Sequence, residues 1–183
     1  MKRQIRSSVF ETNSSSMHSL VVKKEDGYYA DNELRRHLWL DKDGMWEIWN
    51  DEDITFGRYP FNCLYTFESK TRYAIASLCN YRKDNIEQFK IIEDIVKEVI
   101  PECAGIKLPR TSWSWDEDDD GKISYGSVEE NVLSPFLRAE NISLKEFLTN
   151  KKYVVIVDGD EYCIWDGLKN SGLVNANEIE KEY

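Results

Sequence analysis

The apolar residues of this chain change period along its length, and the changes mark out its elements. Residues 2–6 and 17–24 alternate apolar with polar, the two-residue period of strands. Glu25-Asp26-Gly27 reads as a turn. Next, His37-Leu38-Trp39-Leu40 and Met45-Trp46-Glu47-Ile48-Trp49 flank Asp41-Lys42-Asp43-Gly44, and Asp-Gly between alternating runs predicts a hairpin. Trp46 and Ile48 then share one face, with Met45, Glu47 and Trp49 on the other. The front of the chain therefore predicts an antiparallel, β-rich layer.

The middle takes a helical period. Between residues 67 and 81, Tyr73, Ala74, Ile75, Ala76, Leu78 and Cys79 suit a buried helix. Beyond Asn85, a candidate cap, Ile86, Phe89, Ile92, Val96 and Val99 recur at helical spacing, and Pro101 marks the stop. This stripe predicts a core-facing helix rather than a partner groove. Residues 105–108 and 122–125 read as short strands. Ser143 predicts a cap for a helix over residues 144–148, with Glu146 completing a capping box. Residues 152–165 read as strand, turn and strand; the first arm is apolar on both faces and belongs in a sheet centre. The expected fold is α+β: a single domain over residues 1–183, mainly antiparallel sheet built from N- and C-terminal segments with two central helices. Residues 1–24 form its site segment and residues 176–183 a charged tail.

Composition narrows the class. With 183 residues, 41% hydrophobic and 13% aromatic, the chain can bury a sizeable core and is not a disordered one. A net charge of -10 argues against broad affinity for nucleic acid, although residues 1–6 are locally basic. Cys63, Cys79, Cys103 and Cys163 are widely spaced and lie near neither histidine, so the expectation is buried reduced thiols without a metal site. No apolar run approaches membrane-spanning length and no leader pattern opens the chain, which predicts a cytoplasmic protein with no membrane partner.

Two stretches carry candidate chemistry. Asp116, Asp118 and Asp120, followed by Gly121 and Ile123, match the first half of a calcium-binding loop, but Ser127 stands where the bidentate glutamate belongs. A solvated acidic loop is the plainer reading; a weak divalent cation site and a phosphate mimic are the alternatives. No other cofactor is expected. His37, entering the hairpin, reads as structural, while Arg35 and Arg36 before it can contact phosphate. The aromatic pairs Tyr28-Tyr29 and Trp46/Trp49 read as packing rather than base-stacking platforms.

The other stretch runs from Arg6 to Leu20. Strand alternation puts Ser14, Ser16 and His18 on one face, with Glu11 at the preceding turn and Arg6 on the neighbouring segment. A histidine–carboxylate pair supplies a general base, an arginine fork matches two phosphate oxygens, and small hydroxyls donate to a developing anion. These are the parts of a metal-independent phosphodiester-cleaving site, and RNA carries its own nucleophile in the 2'-hydroxyl. An ordinary turn with capping hydroxyls is the competing reading. Candidate catalytic residues are His18, Glu11, Arg6, Ser14 and Ser16; candidate substrate-binding residues are Asn13, Ser15, Arg3, Arg35 and Arg36.

The string Arg6-x-x-Val9-Phe10-Glu11-Thr12-Asn13-Ser14-Ser15-Ser16-x-His18-Ser19 resembles the amino-terminal signature of a family of small proteins from phages and mobile elements of Gram-positive bacteria. It is similar to type II-A anti-CRISPR proteins, some of which truncate the guide RNA of Cas9. The resemblance covers residues 3–20. It implies an inhibitor of Cas9 in the bacterial host cell, acting as a ribonuclease on the guide, with the Cas9–guide RNA complex as partner. The alternative is a non-enzymatic inhibitor whose acidic loop blocks a basic nucleic-acid channel. The sequence is silent on the oligomeric state.

Overall fold

A computed structural model describes residues 17–23, 26–48, 62–79, 85–108 and 132–158. Its elements, in order, are β1 (Met17–Val22), α1 (Asp31–Leu34), β2 (Met45–Glu47), β3 (Asn62–Leu64), α2 (Phe67–Leu78), α3 (Asn85–Val99), β4 (Gly105–Lys107), α4 (Leu133–Glu140), α5 (Leu144–Thr149) and β5 (Tyr153–Asp158). The fold is α+β. Residues 2–6, the strand at 122–125, the second arm after Asp158 and the charged tail lie outside the described residues.

The sheet is organised around β5. Its Tyr-Val-Val-Ile-Val run is apolar on both faces, and Val154 and Val155 are fully buried. A strand so built is stable only with neighbours on both edges. β1 and β3 supply them, both antiparallel to β5, giving the order β1-β5-β3. One antiparallel sheet thus joins the front and the back of the described chain, as the periodicity predicts.

The hairpin forms only in part. Its turn is built as expected: Asp41 Oδ1 accepts the backbone N–H groups of Asp43 at 2.8 Å and Met45 at 2.9 Å, and Gly44 takes φ +76°. The first arm, however, pairs only through a bridge from Leu40 to Trp46. Trp39 is 76% exposed, while Leu38 and Leu40 on either side of it pack against the core. β2 instead finds β4 and pairs with it in parallel, Trp46 opposite Ile106. Trp46 and Ile48 share the buried face. His37 lies before this arm in the turn after α1, exposed and at φ 71°, rather than entering a strand. Tyr28, read as packing, is 61% exposed and donates through its hydroxyl to Glu146 at 2.6 Å.

α2 is the central helix. Thr66 caps it: its Oγ1 accepts from Ser69 N–H at 3.1 Å, and Ser69 Oγ accepts from Thr66 N–H at 3.2 Å. Phe67, Tyr73, Ala74, Ile75 and Ala76 are fully buried, because α2 packs against α1, α3, α4 and α5 and follows directly from β3. α3 buries Ile92, Val96 and Ile100 against α2 and β4, whereas Ile86, in its first turn, is exposed. α4 has no counterpart in the sequence expectations. Its Pro135 sits in the first turn, where a missing N–H costs little, and Asn141 closes the helix at φ 54°. Phe136 then meets Phe147 and Tyr153 edge-on, with ring centroids 6.1 Å apart in both pairs.

α5 forms under Ser143, whose Oγ accepts from Glu146 N–H at 3.0 Å. The reciprocal half of the capping box does not form. The Glu146 carboxylate is turned to Tyr28 and to Asn150 Nδ2, the latter at 2.8 Å. Cys63, Cys79 and Cys103 are buried thiols outside any disulfide, and burial pushes Cys79 up to about 12. Cys163 is outside the described residues. Among those residues no helix is long and apolar enough to cross a membrane.

Candidate functional site

Of the amino-terminal motif, the described chain includes His18 and the strand it stands on. β1 alternates as the sequence requires, with Leu20 fully buried and Ser19 and Val21 half-buried. Its ladder to β5 sets His18 opposite Val157, and Asn62 of β3 lies across the same Val157. His18 therefore occupies the end of the sheet where β1 and β3 begin. Arg3, Arg6, Glu11, Asn13, Ser14, Ser15 and Ser16 lie outside the described residues, as do Asp116, Asp118 and Asp120.

Arg35 and Arg36 are placed apart in their roles. Arg35 forms a two-pronged ion pair with Glu102, Nε to Oε1 at 2.6 Å and Nη2 to Oε2 at 3.2 Å, which ties the turn after α1 to the segment after α3. Its guanidinium is engaged. Arg36 instead lines a cavity of about 250 Å³, with Lys23, Tyr29, Glu33, Tyr65, Thr66 and Lys151.

Strand direction explains why these residues meet. β1 and β3 both run antiparallel to β5, so both end where β5 begins. Lys23 follows β1, Tyr65 and Thr66 follow β3, and Lys151 precedes β5, with the Lys23 N–H donating to the Lys152 carbonyl at 2.8 Å. The cavity is thus at the opposite end of the sheet from His18. Five residue steps of extended chain lead from His18 to Lys23, roughly 16 Å at the rise of a strand.

Three cations and one carboxylate line this cavity. Glu33 is already committed: its Oε2 lies 2.6 Å from Lys151 Nζ, and it accepts the backbone N–H of Ala30 at 2.8 Å. Those two hydrogen bonds hold the Glu33 carboxyl below its usual range. The Arg36 guanidinium acts on Glu33 only as a longer-range attraction. Tyr29 walls the cavity, its hydroxyl donating to the Tyr65 carbonyl. Two lysine amines lie near its ring, Lys151 Nζ at 5.7 Å and the buried Lys70 Nζ at 4.8 Å from the centroid.

Lys70 is fully buried on α2, and its amine donates to the backbone carbonyls of Phe147 and Asn150. Desolvation, reinforced by the nearby charge of Lys23, pushes its pKa well below the ordinary lysine value. Lys23, Lys70 and Lys151 escaped sequence reasoning. Lys23 and Lys151 each belong to a lysine pair at the end of an apolar run, and Lys70 stands among polar residues, patterns that ordinarily mean solvated side chains. Among the described residues no group of three or more histidine, cysteine or acidic side chains could hold a metal ion. No family model, curated protein or solved structure matches the chain.

Proposed function

We propose that the protein is a ribonuclease that inhibits Cas9 by cutting its guide RNA, acting in the cytoplasm of the bacterial host. The observation that carries this is the seating of β1. The motif runs straight into a strand hydrogen-bonded along its length to the central strand, His18 opposite Val157. A base carried on such a strand is held to a fixed position, which catalysis by geometry demands. His18, oriented by Glu11, takes the proton from a 2'-hydroxyl. The freed oxygen attacks the adjacent phosphorus, and the 5'-oxygen leaves with a proton returned by a general acid. Products are a 2',3'-cyclic phosphate and a 5'-hydroxyl, so the step needs neither oxidant nor cofactor. Arg6 offsets the charge that builds on the phosphate oxygens, and Ser14 and Ser16 donate to them. Asn13, Ser15 and Arg3 hold the strand. Contacts with Cas9 supply the affinity that an acidic chain does not obtain from RNA alone.

The deciding experiment is incubation with a Cas9–guide complex, with and without chelator, followed by a denaturing gel. A shortened guide in both lanes, and an intact one with His18→Ala, is the expected result. Full inhibition of Cas9 with the guide intact would overturn the ribonuclease and favour an acidic plug at residues 116–120.

A further inference from the structure

The cavity at the far end of the sheet has no part in the chemistry just described. We infer that it is a phosphate-binding subsite, formed by Lys23, Arg36 and Lys151 where β1 and β3 end and β5 begins, and that it holds an RNA phosphate remote from the bond that is cut. Its assignment to RNA rests on the ribonuclease reading; its anion chemistry does not.

Charge is the first support. The chain as a whole carries -10, yet three of the seven residues lining this cavity are cationic and one is acidic. Glu33 is consumed by Lys151, to which both of its oxygens bond, at 2.6 and 2.7 Å. The lining therefore retains a net positive charge inside a concave, partly walled space, where a field is less screened than on an open surface. The arginine adds geometry, since a planar guanidinium matches two oxygens of one phosphate. The fold also converges there. Lys23, Arg36 and Lys151 come from the ends of three separate segments, and the sheet ladder with the α1 turn fixes where each backbone lies. Thr66 at the same rim is the cap of α2, whose twelve residues turn the positive end of their dipole towards the cavity.

Size and chemistry narrow the ligand. A volume of about 250 Å³ is below the range of drug-sized pockets and suits one tetrahedral oxyanion with a few waters. Of the two tyrosines in the lining, Tyr29 is committed: its ring lies near the Lys70 and Lys151 amines, and its hydroxyl serves the Tyr65 carbonyl. The contacts that the three cations offer are to phosphate, which carries no sequence information. Its separation from His18, roughly 16 Å along β1, corresponds to several nucleotides of a strand that rises about 3.4 Å per base when stacked.

The test is titration of the purified protein with inorganic phosphate, followed by calorimetry and by competition against a short fluorescent single-stranded RNA. Arg36→Glu should weaken phosphate binding at least tenfold and make the loss of RNA binding with salt shallower, while the charge-matched Lys90→Glu on α3 leaves both unchanged. Arg36 is exposed, so the variant should fold; an unchanged melting temperature checks this. Undetectable phosphate binding, or equal binding by Arg36→Glu, overturns the subsite. If phosphate binds as expected but the guide stays intact, the ribonuclease fails and the anion site stands. If the guide is cut without phosphate binding, the reverse holds.

Discussion

Lys70 Nζ lies 2.8 Å from the backbone oxygen of Phe147, in the last turn of α5. A second carbonyl, that of Asn150, accepts from the same nitrogen at 2.8 Å. Carbonyls at a helix end have no partner within the helix, and here a lysine from another helix supplies one. α2 and α5 are thereby joined by a polar contact at the centre of an apolar core.

Replacing Lys70 with methionine keeps the volume and strands both carbonyls. Stability should fall by about 1–3 kcal/mol, measured as a shift of the urea midpoint at constant slope. The pH dependence separates this from mere packing. With its pKa depressed in the fold, Lys70 sheds its proton earlier than the unfolded chain does. Between the folded value and the ordinary 10.5 the unfolded state binds more protons, so stability rises with pH, by up to about 1.4 kcal/mol per unit. Lys70→Met should lose that rise. Parallel curves for the two proteins from neutral pH to pH 10 would refute the assignment.

Asn150 is 2% exposed and serves four neighbours. Its Oδ1 accepts from the backbone of Lys152 at 2.9 Å and Gly27 at 3.4 Å, while Nδ2 donates to Asp26 at 2.6 Å and Glu146 at 2.8 Å. Asn150→Asp turns two donated bonds into two carboxylate repulsions. A loss of about 3 kcal/mol or more is expected. Protonation relieves the repulsion, so the folded variant holds the extra proton more tightly than the unfolded chain, and its deficit should shrink on acidification. Denaturant melts at neutral and acidic pH measure both effects.

Glu93 links α3 to β4. Its Oε1 accepts from Ile106 N–H at 3.0 Å and its Oε2 pairs with Lys97 at 2.9 Å. Partial burial works to raise its pKa, but the bonds from Lys97 and Ile106 outweigh burial and hold the carboxyl below its ordinary 4.5. The contribution is complete above the ordinary value and is lost as pH falls through the lower folded one. Glu93→Gln keeps the acceptor for Ile106 and removes the charge. The stability gap between the two proteins should therefore close on titration towards about pH 3, and a constant gap would exclude the linkage.

The proposed cleavage makes its own kinetic demand. His18→Ala and Glu11→Gln should each slow guide truncation by about 10²–10⁴ while leaving the melting temperature unchanged. Asn substitutions at Asp116, Asp118 and Asp120 should not alter the rate, nor should chelator. Timed denaturing gels decide between these outcomes.

What the sequence discloses follows from where the determining partners lie. The stripe of α3 and the two apolar faces of β5 are legible because each element carries its own period. Pro135 hides α4, since a proline two residues after its start looks like a break. The parallel β2–β4 pair has no turn to announce it: Met45 and Gly105 are joined by a long crossover, not a hairpin. Lys70 reads as solvent-facing because its partners stand 77 and 80 residues further on. The cavity is harder still. Arg36 reads as a candidate phosphate contact beside Arg35, but only the fold separates the two and brings Lys23 and Lys151 to the former.

The pairing of β1 with β5 also sets a timetable for synthesis. Val22 lies opposite Tyr153, so the strand that bears His18 acquires its main neighbour only after the 130 residues between them have been made. Contacts that distant in sequence form late and slowly. A ribosome that stalls before β5 releases a chain carrying the motif on a strand with no seat. Whatever the motif does, its strand is seated only once β5 has emerged.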